Sequence, residues 1–296
     1  MTRLCNLDGE IRLEHEAQVS VLDRGFLFGD SVYEVMRTRS GVPFGWPEHL
    51  DRLRASATGI GLPLDLTNEE ILQRIKTTLA SADHGESYVR IIATRGTATA
   101  PNIDLSFAPG PLTWVILVRE LPPAPSGFAH LAIVPRLRMD PRALDPAIKS
   151  GNYLNNLLGL AEARKRGATD CLFLNHEGEV TEASTSNFYV IRGSKISTPP
   201  LRAGLLSGIT RLLLFEFAQE AGVHLVEEDL REEDVRNAEE LFLSSSLRDV
   251  FPVAILDGQA IGNGKPGPVT NSVIQGFAQF CDRRTREVYG PGFANI

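Results

Sequence analysis

LPPAPSG, residues 121–127, divides this sequence in two. Three prolines and a glycine in seven residues cannot continue a helix or supply a strand's ladder of amides, so the run predicts an extended interdomain linker. Residues 1–120 and 128–296 are then two domains, in keeping with a length of 296 residues. Upstream, LCNLDGEIRL predicts a hairpin turning at Asp8-Gly9, and SVYEVMRTRSGVPFGW predicts two strands joined at Ser40-Gly41. A helix starts near Pro47 and runs through HLDRLRASATGI. TNEEILQRIKTTLASA carries a capping box, Thr67 with Glu70. SYVRIIATRG and PLTWVILVREL read as buried strands.

Downstream of the linker, FAHLAIVPRLRMD reads as a strand and IKSGNYLNNLLGLAEARKRGA gives an amphipathic helix. DCLFLNHEGEVTEA and NFYVIRGSKISTP are hairpins turning at Glu177-Gly178 and Gly193-Ser194. GITRLLLFEFAQEAGV is a helix closed by Gly222, EELFLSSSLRDVFPVAILDG is mostly strand, and PVTNSVIQGFAQFCDRR is a last helix. Both halves mix strands and helices without a regular βαβ alternation. The fold class expected is therefore α+β, two domains with a cleft between them, a common seat for a small molecule.

Composition narrows the function. The net charge of −7 argues against a broad nucleic-acid surface but leaves room for a local phosphate pocket. The cysteines, Cys5, Cys171 and Cys281, are odd in number and far apart, which argues against a disulfide framework or zinc site and for a reducing compartment. The amino-terminal stretch is too polar for a signal peptide, and no apolar run approaches a membrane span. A cytoplasmic protein is expected. GNGKPGP has Pro266 where a phosphate loop needs Ser or Thr, no GxGxxG, HExxH or GxSxG occurs, and EEDLREED, residues 227–234, reads as a solvated face.

Five stretches carry chemistry. Lys149 opens the KSGNY segment in a chain with five lysines against twenty-five arginines. A lysine can shed its proton and do chemistry where an arginine cannot; an ordinary solvated lysine reads the same way from sequence. SGITR, residues 207–211, begins a helix, with Ser207 as N-cap and the amides of Gly208, Ile209 and Thr210 turned to an anion, although every helix has such an end. In TEASTSNF, Glu182 stands among small hydroxyl residues and, if buried, needs a cationic partner such as a protonated pyridine; a surface turn is the plainer alternative. SSSLRD offers Ser245 and Ser246 at a strand end and Arg248 for a carboxylate, or simply a polar strand end. Arg52 and Arg54, on one early helix, could reach an anion or face solvent. Taken together these parts describe the protein's side of pyridoxal phosphate chemistry.

The order RGFLFGDSVYEVMRT, EHLDRL, KSGNYLNN, TEASTSNF, SGITR, FLSSSLRD resembles the class IV aminotransferases, the fold type IV pyridoxal phosphate enzymes, from about residue 6 to residue 280. That resemblance implies a small amino-terminal α+β domain, a larger α/β domain, and the cofactor in the cleft. It makes Lys149 the Schiff-base lysine and proton shuttle, and Glu182 the partner of the pyridine nitrogen. It makes Arg52, Ile209, Thr210 and Ser246 the phosphate contacts, counts Gly208 and Ser245 among the cofactor-binding residues, and sets Tyr153 near the phenolic oxygen. It implies ping-pong transfer between an α-amino acid and a 2-oxo acid in a homodimer, with residues near Phe28 closing the partner's site.

Within the family the motifs divide. FGDSVYEV and TEASTSNF look like the D-amino acid enzymes, and KSGNY like the branched-chain L-amino acid enzymes. The Arg-Asn-His carboxylate trap of the D-enzymes is absent from TRGTATAPNID. Arg37, Arg90 and Arg248 are the candidates to replace it, Arg37 and Arg248 first. The D-amino acid type is put first and the branched-chain type second. 4-Amino-4-deoxychorismate lyase and a non-catalytic cofactor-binding protein are the further alternatives; the amine transaminases find no particular support.

Overall fold

The computed structural model describes residues 3–295; Met1, Thr2 and Ile296, at the outer ends of the two expected domains, lie outside that range. The chain divides into two compact units. One comprises Met1–Pro123, Ile148–Asn152 and Asp282–Ile296; the other comprises Ala124–Ala147 and Tyr153–Cys281. The first division thus falls in the proline-rich stretch. Residues 148–152 and 282–296, grouped with the second domain on sequence, return to the first unit.

The first unit is built on an antiparallel sheet of six strands in the order β2-β1-β6-β5-β3-β4. Its strands are β1 (Leu4–Leu7), β2 (Glu10–Leu13), β3 (Ser31–Arg39), β4 (Val42–Pro43), β5 (Ser87–Thr94) and β6 (Thr113–Glu120). Both expected turns are present, with positive φ at Asp8 (53°) and Gly9 (100°) and at Ser40 (52°) and Gly41 (75°), the backbone that lets a two-residue loop follow the strands' twist. Helices α1 (Arg24–Phe28), α2 (Trp46–Gly59) and α3 (Asn68–Ala80) complete the amino-terminal part. The capping box on α3 is formed as expected: Glu70 N donates to Thr67 Oγ1 and Thr67 N to the Glu70 carboxylate.

Strand alternation sends Val32 and Met36 of β3 into a core with Leu50 and Leu53 of α2 and Ile71 and Ile75 of α3. Each such side chain, fully buried, contributes about 1.5–3 kcal/mol. The carboxy-terminal helix α8 (Gly290–Ala294) adds Phe293 to the same cluster, and Trp46 Nε1 donates to Tyr289 O at 3.3 Å.

The second unit carries nine strands: β7 (Ala129–Ile133), β8 (Asp170–Leu174), β9 (Val180–Ala183), β10 (Asn187–Arg192), β11 (Lys195–Thr198), β12 (Leu225–Glu227), β13 (Glu240–Ser245), β14 (Asp249–Leu256) and β15 (Gln259–Ala260). The path β10-β13-β14-β7-β8-β9 closes when β9 returns to β10 through the pair Asn187–Glu182. Helices α4 (Leu154–Lys165), α5 (Ile209–Ala221), α6 (Glu232–Arg236) and α7 (Pro268–Arg284) accompany it. Gly222 ends α5 at φ 67° as expected.

Three expectations need correction. The strand read over FAHLAIVPRLRMD stops at Ile133, because Pro135 has no amide to give a ladder. The N-cap of α5 is Gly208, not Ser207. The acidic run 227–234 is more than a solvated face, since Leu230 is buried and Asp234 accepts from the Arg231 amide. Among the described residues no helix is long and apolar enough to cross a membrane.

Candidate active site

In the first unit, the turn Ile148–Asn152 docks along β3. Val32 and Ser150 form an antiparallel bridge, Tyr33 N donates to Lys149 O at 3.0 Å, and Gly151 N donates to Ser31 O at 2.9 Å. Lys149 N donates to Ser56 Oγ of α2 at 3.0 Å, and Asn152 Nδ2 donates to Gly29 O at 3.2 Å. Gly151 is required by the close approach: a Cβ there would lie 2.5 Å from Ser31 Oγ. The lysine backbone is therefore held by two elements, β3 and α2. Its Nζ stands 4.6 Å from the centre of the Tyr33 ring, and the Arg90 guanidinium lies 4.2 Å from the same ring. The two cations are thus no more than about 9 Å apart. Arg37 shares the parity of Tyr33 on β3 and pairs with Tyr88 of β5.

On the core-facing parity of β3 lies Glu34, fully buried. Its Oε1 accepts from Arg52 Nε and its Oε2 from Arg52 Nη2, both at 2.7 Å, and His49 Nδ1 is 2.6 Å from Oε2. His49 and Arg52 sit one turn apart on α2, so both meet the same strand residue. Burial pushes the Glu34 carboxyl up, but the Arg52 charge and then His49 outweigh it and hold the carboxyl at about 2. Burial holds His49 below its ordinary value, against the pull of Glu34. The partnership was missed in the sequence; an acid between Val32 and Met36 on the buried parity was the signal. Arg54 bonds Asn68 Oδ1 and Leu66 O, which ties down the entry to α3. Phe28 ends α1 beneath the Arg24 guanidinium, 5.0 Å from its ring, and Arg24 also donates to the carbonyls of Asn102 and Ile103. Asp30, in the FGD motif, pairs Arg24 and Arg95 at 2.8 Å each.

In the second unit, the β9–β10 closure sets Glu182 beside Asn187, and Asn187 pairs with Ser244 of β13. Glu182 is buried and carries an ion pair to Arg138 Nη2 at 2.8 Å. Its Oε2 accepts from Leu206 N at 3.2 Å, with Asn187 Nδ2 at 3.5 Å. Arg138 is steadied in turn by Asn155 and Asn156 of α4. This arginine too was missed, since nothing local marks it. Asn187 Nδ2 donates to Leu206 O at 2.9 Å, and a Cβ on Gly208 would meet Asn187 Oδ1 at 2.0 Å. The structure therefore brings Glu182, the Gly208–Thr210 helix start and the serine-rich strand end together. Ile209 and Thr210 begin α5, whose N-cap has no side-chain bond. Ser245 ends β13, with Ser246 in the turn that follows. Arg248 Nη2 donates to Ser186 Oγ at 2.6 Å and lies 3.7 Å from Asp170. Tyr153 is the N-cap of α4.

Residues 31–256 match the family model described as amino-transferase class IV. A putative branched-chain-amino-acid aminotransferase of Methanocaldococcus jannaschii is 34% identical over 95% of this chain and 96% of its own length. A D-alanine aminotransferase of Staphylococcus aureus strain N315 is 35% identical over 93% of this chain and 97% of its own. Among solved structures, the branched-chain aminotransferase of Thermoproteus uzoniensis with norvaline superposes with a TM-score of 0.89 at 27% identity, covering 98% of both chains. The branched-chain amino acid aminotransferase of Thermobaculum terrenum in its PLP-form has a TM-score of 0.84 at 27% identity, covering 96% of this chain and 95% of its own. The match of family model, relatives and fold over nearly the whole length leads to one conclusion: the chain belongs to the class IV aminotransferases, pyridoxal-phosphate-dependent enzymes of fold type IV.

Proposed function

We propose that this enzyme uses pyridoxal phosphate to move an amino group between an α-amino acid and a 2-oxo acid, and that it is of the D-amino acid type. The observation that carries the transaminase reading is the clamped lysine. Lys149 has its backbone fixed by β3 and α2 and its Nζ beside Tyr33 and Arg90.

The residues present fit the cofactor. Gly208 leaves the backbone bare where a Cβ would strike Asn187, at the N-cap of α5. Glu182 supplies a buried carboxylate in the same unit. Bound pyridoxal phosphate supplies the electron sink that lets the substrate's α-proton leave. Glu182 would keep the ring nitrogen protonated. The amides of Ile209 and Thr210, with Arg52, Ser245 and Ser246, would hold the phosphate. Tyr153 would stand near the phenolic oxygen. Lys149 would carry the proton at Nζ, taking it from the substrate's α-carbon and delivering it again, which its ability to lose charge allows.

Arg90 is the best supported of the three arginines for the substrate carboxylate, because it shares the Tyr33 ring with Lys149. Arg248 already serves Ser186 and Asp170. Arg37, on the same sheet face, is the second choice. The D-type rests on FGDSVYEV and TEASTSNF and on the D-alanine relatives. The branched-chain reading is favoured by KSGNY and by the structural neighbours.

A homodimer is supported by large apolar side chains left open in the first unit, Val21, Phe26 and Ile103 at 70–80% exposure. Phe28 would then serve the partner's site. Three free, buried cysteines suit a cytoplasmic setting.

The test is an absorbance titration of the protein loaded with pyridoxal phosphate, with D-alanine, D-glutamate, L-leucine and L-glutamate added separately. Loss of the cofactor band together with release of a 2-oxo acid, fastest for a D-amino acid, is expected. L-leucine reacting as fast or faster would transfer the assignment to the branched-chain type. A band that none of the four changes would leave the lyase as the better reading, and a protein that takes up no cofactor would leave the non-catalytic one. Lys149→Ala is expected to abolish turnover.

A further inference from the structure

We propose that Glu34 is a positioning residue for phosphate recognition, fixing the plane of the Arg52 guanidinium from within the core of the first unit. The proposal rests on the reading of Arg52 as a phosphate contact.

Three observations carry it. First, the contact is two-pronged. Both Glu34 oxygens are used, Oε1 by Nε and Oε2 by Nη2, at 2.7 Å each. Parallel bonds of this kind lock the rotation of the fork as well as its place. Glu34 takes the Nε–Nη2 edge, so the orientation of the Nη1 side is set by the same lock. Second, Glu34 itself cannot wander. It is fully buried on β3, with Val32 and Met36 packed on the same sheet face against α2 and α3. His49 Nδ1, 2.6 Å from Oε2, braces it from the side. Third, α2 connects the lock to the lysine. His49 and Arg52 share the helix with Ser56, whose Oγ accepts from Lys149 N. One helix thus registers the arginine and the lysine backbone against one strand.

A buried acid that merely neutralised a buried arginine would support folding and nothing else. A positioning acid makes a narrower claim: its loss should weaken recognition of the phosphate and spare the rest of the cofactor. Comparing pyridoxal phosphate with pyridoxal, which lacks the phosphate, isolates that part.

The experiment measures the affinity of the full-length protein for both compounds by absorbance titration, in wild type, Arg52→Ala, Glu34→Gln, Glu34→Asp and the Arg52→Ala/Glu34→Gln double variant. Circular dichroism checks that each is folded. Wild type should prefer pyridoxal phosphate strongly. Glu34→Gln should cut that preference by about tenfold or more, the scale of a charged hydrogen-bonded contact, with pyridoxal affinity nearly unchanged. Glu34→Asp keeps the charge but withdraws the carboxylate by one methylene, and should lower the preference in the same direction while guarding against an unfolded Gln variant. In the Arg52→Ala background, Glu34→Gln should change the preference no further. Equal weakening of both compounds by the Glu34 variants, or an unchanged preference, overturns the proposal while leaving Arg52 as a phosphate contact. If Arg52→Ala itself leaves the preference intact, the underlying reading of Arg52 falls, and the proposal with it.

Discussion

A buried charge survives folding only in company, and both units of this protein show it. Glu34 is matched to Arg52 and His49 in the first, and Glu182 to Arg138 in the second. Removing one member of such a pair leaves the other uncompensated in a low-dielectric interior. Acid should therefore destabilise the fold through the first group, because its members resist protonation only while the protein is folded. Glu34 is held at about 2 against an ordinary 4.5, and His49 below its ordinary 6.5. Both groups bind protons more readily in the unfolded chain, so the stability they contribute is complete above pH 6.5 and declines as pH falls. His49 accounts for the first part of the decline. Glu34 accounts for a steeper part between 4.5 and about 2, worth roughly 3 kcal/mol in all. Thermal melts followed against pH should show that steep component in wild type and not in Glu34→Gln; a component of equal size in both would assign it elsewhere. Lys149 and Glu182 were marked as candidates by their distinctive local company in the sequence. Glu34 and Arg138 were not, because their meaning lies in partners 18 and 44 positions away.

Elements were more legible than residues wherever the signal was local. The Asp8-Gly9 and Ser40-Gly41 turns, the Thr67–Glu70 box and the Gly222 stop all stand where short-range chemistry put them. The strand cut short before Pro135 follows from that proline's missing amide, a local signal read too loosely, whereas the cap shifted from Ser207 to Gly208 marks a place where a neighbouring element, through Asn187, decided the outcome. Gly159, in the middle of α4, is another. By helix propensity alone, alanine there would gain about 1 kcal/mol. A Cβ at that position, however, would lie 2.3 Å from Phe173 Cζ and 3.2 Å from Cys171 Sγ, and the Phe173 ring is fully buried with nowhere to retreat. Overpacking costs about 1–3 kcal/mol, so the clash wins. Gly159→Ala should lower stability in urea denaturation, and an unchanged or higher midpoint would mean that the β8–α4 contact yields more easily than its packing suggests.

For the molecule as a whole, the apolar side chains that remain open set a test of assembly. Phe26 and Ile103 are 70% and 80% exposed, and Arg24 connects their two segments by donating to the 103 carbonyl. The wild-type protein should sediment as a dimer, and Phe26→Asp with Ile103→Asp should weaken that dimer without changing the circular dichroism spectrum. A wild type that sediments as a monomer removes the proposal. LPPAPSG marks a division on sequence, but nothing local marks the return of residues 148–152 and 282–296 to the first unit; the 148–152 turn meets β3 and α2 at long range. That return has a consequence in the order of synthesis. Domains of a growing chain commonly fold as they emerge, the amino-terminal one first. Here the first unit holds the amino-terminal sheet, yet it lacks its lysine turn until the chain has passed Asn152, and it lacks Phe293 in its core until the chain has passed the second unit. The part of the protein that leaves the ribosome first is completed in two instalments: the lysine turn can join β3 and α2 when only the first short segment of the second unit exists, whereas Phe293 reaches the core only after all of that unit has been made.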